Sequence, residues 1–298
     1  MKCKGFSVLR VLVAAFALII LLGLNGTPKA RATTWNQTWS DEFDGPAITG
    51  VDATKWLYDT GTSYPGGAAN WGTGEIETMT DSTVNVYQDG VSHLIIKPIL
   101  NGGSWTSGRI ETQLTSFMAP VGGRLAVEAS IQRFPGITGV QAQGYWPAFW
   151  MLGAGFRGNY TNWPSVGEID VMENINGMNT IHGVFHCGVE PEGPCKEKAG
   201  LGGTTDCLPD CQGTFHTYRV EIDRSTSPEE IRWYLDGRQY WQVNSNQAGM
   251  DATTWANAVH QGFIIILNVA MGGNWPGNPT ASTFSGSPLV VDYVRVFN

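Results

Sequence analysis

Apolar positions along this chain fall in short runs, many with a period of two, separated by glycine, proline and small polar residues. The clearest is Leu125-Ala126-Val127-Glu128-Ala129-Ser130-Ile131, where every second residue is apolar. Successive side chains of a strand point to opposite faces, so this pattern predicts a strand buried on one side. Runs rich in β-branched and aromatic residues at 92–99, 123–132, 217–222, 231–235, 262–268 and 289–297 predict further strands. Helical spacing is scarce, with one turn predicted near 251–258. The 38 Gly and 15 Pro are spread as punctuation, and no linker or repeat divides the chain after its first residues. Residues 33–298 therefore read as a single all-β domain, a jelly-roll sandwich of two antiparallel sheets. The concave sheet of such a sandwich can line a groove for a long polymer.

The start of the chain is of another kind. Lys2, Lys4 and Arg10 precede an apolar run over 11–24, and Ala30-Arg31-Ala32 fits a small-x-small cleavage site. Residues 1–32 thus read as a secretory signal peptide, with an apolar run short of the roughly 20 residues that span a bilayer. The expectation is a secreted, extracellular protein with no membrane attachment after cleavage. Removing that segment takes five of the 18 Lys+Arg and no acid, which moves the net charge from −8 to −13. Such a charge repels polyanions and excludes nucleic acid as a natural partner. It is compatible with a neutral polysaccharide. Four cysteines remain after cleavage, and an even number in an exported chain points to disulfides. Cys187–Cys195 with Cys207–Cys211 is favoured because each closes a short loop; the nested pairing stays open. The spacing suits zinc poorly.

Candidate chemistry concentrates in Glu168-Ile169-Asp170-Val171-Met172-Glu173. In a regular strand Glu168 and Asp170 share a face and Glu173 points away. One extra residue at Val171-Met172, a β-bulge, returns all three acids to one face, and bulges are frequent beside active sites. Crowded carboxylates are costly unless used, and paired carboxylates flanking a scissile bond are the apparatus of glycoside hydrolysis.

The stretch Trp163-Pro164-Ser165-Val166-Gly167-Glu168-Ile169-Asp170-Val171-Met172-Glu173-Asn174 resembles the signature of glycoside hydrolase family 16, in its laminarinase (endo-1,3-β-glucanase) branch. Asp41-Glu42-Phe43, Asn70-Trp71-Gly72, Ser107-Gly108-Arg109, Trp146-Pro147-Ala148-Phe149-Trp150, Trp233-Tyr234-Leu235-Asp236-Gly237 and Asn268-Val269-Ala270-Met271-Gly272-Gly273 fall in the same order as in that family. The bulged spacing resembles laminarinases, agarases and carrageenases; the lichenase form is one residue shorter. The resemblance implies retaining hydrolysis of a β-glucan, with Glu168 as nucleophile, Glu173 as acid/base and Asp170 between them. It implies Trp146 and Trp163 as sugar platforms, with Trp150 as a third aromatic contact or a core residue. Asn70, Glu75 and Arg109 would be polar contacts to sugar hydroxyls. His186 would lie near the scissile bond, orienting Glu173 or the leaving sugar. No cofactor is needed for catalysis; Glu42 and Asp292 resemble positions that bind a structural Ca²⁺ away from the groove. A monomer is expected. Competing readings are action on mixed-linkage glucan or galactan, transglycosylation, and a non-catalytic glucan-recognition protein. The last typically lacks a catalytic Glu, and both are present here.

Overall fold

The alternating run at 123–132 becomes the strand Arg124–Arg133, which sends Leu125, Val127, Ala129 and Ile131 into the core. A computed structural model describes Met1, Lys2 and residues 34–298; the segment read as a signal peptide lies almost wholly outside the described residues. Trp35–Asn298 forms one unit. Among the described residues, one sheet of eight strands runs Arg238–Asn244, Glu230–Leu235, His216–Asp223, Arg124–Arg133, Leu289–Phe297, Leu94–Ile96, Val86–Gln88, with Gln37–Asp41 also paired to Leu289–Phe297. A second sheet of seven runs Leu201–Asp206, Thr180–His186, Glu168–Glu173, Tyr145–Gly153, Phe263–Met271, Arg109–Thr112, Trp56–Tyr58. Every pairing between neighbours in these two sheets is antiparallel. One apolar core joins them, with Phe149, Met151, Ile169, Phe185 and Leu267 from the seven-stranded sheet and Val127, Tyr218, Val220, Trp233 and Val294 from the other. The architecture is the all-β jelly roll that the sequence predicts.

Two sequence expectations change in detail. The run at 92–99 is not one strand: Leu94–Ile96 pairs in the large sheet, while Ile99–Asn101 joins a small three-stranded sheet. Pro98 between them has no N–H to continue a ladder. The helical turn is the full helix Ala252–Val259, capped by Asp251, whose carboxylate accepts from the Thr253 and Thr254 N–H groups.

The bulge falls where the spacing of the acids places it. Asp170 pairs with Val184 and Glu173 with His182, so Val171 and Met172 together oppose the single residue Gly183. Both bulge residues are buried in the core, and the three acids lie on the opposite face. The indole N–H of Trp233 donates to the Asp170 carbonyl at 2.8 Å. Gly183 makes room for that approach, since a Cβ there would stand 2.4 Å from the Trp233 ring. Two local disulfides, Cys187–Cys195 and Cys207–Cys211, close loops beside this edge of the sheet, as the favoured pairing has it.

Candidate active site

The face of the seven-stranded sheet turned away from the core carries the acids. Antiparallel register sets Glu168 between Leu152 and His186, Asp170 between Trp150 and Val184, and Glu173 between Ala148 and His182. Trp146 and Trp150 lie on this same face, both half-buried. The floor is apolar: Leu152, Val166, Ile264 and Ile266 form a second small core under Trp150, Phe156 and Trp163.

Each outer acid receives an indole hydrogen bond. Trp163 Nε1–H donates to Glu168 Oε2 at 3.1 Å, and Trp146 Nε1–H donates to Glu173 Oε1 at 2.9 Å. The two tryptophans expected to be sugar platforms therefore also position the carboxylates. Trp150 donates to Asn268 Oδ1 at 2.8 Å. Trp275, 40% exposed, stands edge-on to both Trp146 and His182 and extends the aromatic wall.

Burial governs the charge state of the site. Desolvation, and then the neighbouring Asp170 charge, push Glu168 up to about 8; the same two causes hold Glu173 well above the usual carboxylate range. His186 favours ionisation of Glu168, its Nε2 standing 3.9 Å from Glu168 Oε1 and 3.3 Å from Asp170 Oδ2. Burial alone would lower His186, but hydrogen bonds with Asp170 and Glu197 outweigh it and hold the imidazole well above its usual value. The site is thus a cluster of acids around one imidazolium. Of the two outer acids, Glu168 is the one set beside that cation.

His186 lies against Glu168 and Asp170, because register pairs it directly with Glu168. Arg109 is buried in a box. Its guanidinium donates to Asp59 and to the Tyr64 hydroxyl, and it lies 4.6 Å and 4.9 Å from the ring centroids of Trp71 and Trp150. It packs against the Trp150 ring on the same face of the sheet. Asn70 is exposed on a turn with φ 51°, in the left-handed region that asparagine tolerates. Glu75 is 6% exposed, accepts from the Thr73 hydroxyl, and pairs through its backbone with Gly272. The structure thus gathers Glu168, Asp170, Glu173, His186, Trp146, Trp150 and Trp163 at one place, and puts Asn70 and Glu75 on the loop flanking Trp146.

Glu42 is an ion-pair residue: both its oxygens accept from the Arg295 guanidinium, at 3.0 and 2.7 Å. Among the described residues, one ligand atom from each of Glu168, Asp170 and His186 lies within 4.8 Å of the others. Sequence reasoning missed Glu197, a buried acid bonded to His186, and Asn268, the partner of Trp150. The position of Glu197 two residues past a loop-closing cysteine is the signal that was there to be read.

Known proteins resemble this chain over nearly its whole length. Residues 131–213 match the family described as "XgeA-like, catalytic GH16 domain". The β-glucanase of Rhodothermus marinus is 31% identical over 293 residues, covering 95% of this chain and 93% of that protein. Among solved structures, the endo-1,3-β-glucanase from Streptomyces sioyaensis is 55% identical, with a TM-score of 0.86 over 91% of this chain and 99% of that one. The endo-β-1,3-glucanase from Pyrococcus furiosus is 33% identical, with a TM-score of 0.70 over 89% of this chain and 94% of that one. With three carboxylates aligned by the bulge and identity of this extent on both sides, the chain belongs to glycoside hydrolase family 16.

Proposed function

We propose that the protein is a secreted endo-1,3-β-glucanase that cleaves laminarin-like polymers with retention of configuration. One observation carries the chemistry: a single bulged strand presents Glu168 and Glu173 on one face, each held by its own indole N–H. In the first step a Glu168 oxygen attacks the anomeric carbon and the bond to the leaving oxygen breaks. Glu173 gives its proton to that oxygen. In the second step Glu173 takes a proton from water, which attacks the anomeric carbon and releases the Glu168 carboxylate. The ionic setting supports this division: burial raises both carboxyls, and the imidazole that favours ionisation stands beside Glu168. The names of the relatives from Streptomyces sioyaensis and Pyrococcus furiosus support the 1,3-linkage. Two disulfides support export to an oxidising compartment.

The test is product analysis by anomeric proton NMR on laminarin and on a linear 1,3-glucan. Mixed oligosaccharides formed early as the β-anomer are expected. An α-anomer as first product would overturn retention, and release from agarose or lichenan alone would overturn the linkage.

A further inference from the structure

Glu197 has no place in the two-step scheme, yet it is 4% exposed and fully engaged. Its Oε2 lies 2.7 Å from His186 Nδ1, and its Oε1 accepts the Cys187 N–H at 2.9 Å. A carboxylate buried so deeply is costly unless paired in this way. Three features of the chain deliver it there. The Cys187–Cys195 disulfide closes the loop directly after His186 and brings the chain back two residues before Glu197. Glu192 and Glu197 then form a backbone bridge across that loop. Finally, Gly200, at φ +71°, lets the returning backbone lie flush on the imidazole, where a Cβ would come within 2.8 Å of His186 Cε1.

The far side of the ring faces the reaction. His186 Nε2 is 3.3 Å from Asp170 Oδ2, which among the described residues has no hydrogen-bond partner. We propose that Glu197 is a positioning residue for hydrolysis: it clamps His186 Nδ1 so that the doubly protonated ring holds its positive charge beside Asp170 and Glu168. The inference rests on Glu168 as the nucleophile. The ionisable groups around the ring are Glu168, Asp170 and Glu173 on the bulged strand and Glu197 on the disulfide loop, with the Arg109 charge also reaching Glu168. Trp163 covers the ring at 5.5 Å between centroids. The imidazolium is thus the cation inside this ring of acids, and the disulfide loop becomes part of the machinery that keeps it charged.

The test is Glu197→Gln, which keeps size and removes charge. Without the carboxylate, His186 loses its proton at lower pH, so the alkaline limb of activity moves down. Across the acid limb His186 still carries its charge, and loss of the Glu197 charge removes a repulsion that raises Glu168, so that limb does not move up. The expected result is a pH profile narrowed from its alkaline side, kcat lower by on the order of tenfold and KM within about twofold, because no sugar contact is lost. Glu197→Asp, which keeps the charge on a shorter stem, should recover part of the width. A Glu197→Gln enzyme with the wild-type kcat and pH profile overturns the proposal, as does a rise in KM alone. A purely structural role would lower Tm and leave the pH profile in place. Should Glu197→Gln fail to fold, the His186 imidazole is titrated by NMR in the unaltered enzyme. A ring that keeps both protons well above the usual histidine range is expected, and a ring that titrates as an ordinary histidine overturns the proposal. Repeating that titration in Glu168→Gln separates the two ideas, because the bond to Glu197 is read there whatever Glu168 does in turnover.

Discussion

Glu168→Gln should abolish turnover and, above acid pH, make the protein more stable. Glutamine keeps the size of the side chain and an oxygen to accept from Trp163, so only the charge is removed. Burial and Asp170 lift Glu168 from 4.5 to about 8 in the folded chain. At about 1.4 kcal/mol for each tenfold in proton affinity, that difference holds roughly 5 kcal/mol against the ionised state. The charge is shared with Asp170 and offset by His186, so about 2 kcal/mol is the expected gain at pH 8. The sign follows from linkage. A carboxyl with a raised folded-state value contributes stability below its unfolded value and loses it as pH rises through its folded one. The two proteins should therefore melt together near pH 4, and the variant should lead increasingly from about pH 5 to 8. For a domain of this size the lead should be roughly 4–8 °C in Tm. Differential scanning calorimetry of both proteins across pH 4–9 reads it directly. A lead that does not grow with pH, or a variant less stable at pH 8, would refute the view that burial of Glu168 is held at a cost in stability.

Two further outcomes follow from the same geometry. Trp163→Phe keeps a ring over His186 but removes the N–H donated to Glu168; a hydrogen bond to a charged group contributes about 1.5–3 kcal/mol, so kcat on a soluble 1,3-glucan should fall by roughly 10- to 100-fold. An unchanged kcat would reduce Trp163 to a sugar platform. Gly167→Ala places a Cβ 2.3 Å from the Ala258 carbonyl oxygen at a residue with φ +75°. The left-handed backbone alone costs about 1–2 kcal/mol, and the clash adds to it directly before Glu168, so both Tm and activity should fall; a fully active, equally stable variant would contradict that placement.

Much of the site was legible because it is local. Glu168, Asp170 and Glu173 can share a face only with one extra residue between them, and that residue is the bulge opposite Gly183. The strand Arg124–Arg133 was legible because its alternation is a direct imprint of one buried face. The hydrogen bonds that Trp146 and Trp163 give to the acids were not, since the carboxylate each indole reaches depends on how a loop or neighbouring strand crosses the sheet. Arg109 reads in sequence as a contact for a sugar hydroxyl. Its box of Asp59, Tyr64, Trp71 and Trp150 comes from three separate segments that no periodicity links. Glu197 carried a weaker signal, its place just past a loop-closing cysteine: it sits in a loop without alternation, and the closure by Cys187–Cys195 turns it toward His186.

The bulge has a consequence for how this enzyme can change. Because Val171 and Met172 both face the core while opposing one residue, the Glu173 carboxyl owes its direction to a count rather than to a side chain. Exchanging either residue for another apolar one leaves the count intact. Deleting one would carry Glu173 round to the buried side, or force the strand to take the straight spacing with a different catalytic geometry. The strand is therefore tolerant of spelling and intolerant of length. Diversification at this position should proceed by whole-residue insertions and deletions, each a discrete jump between architectures, with no gradual path of substitutions connecting them.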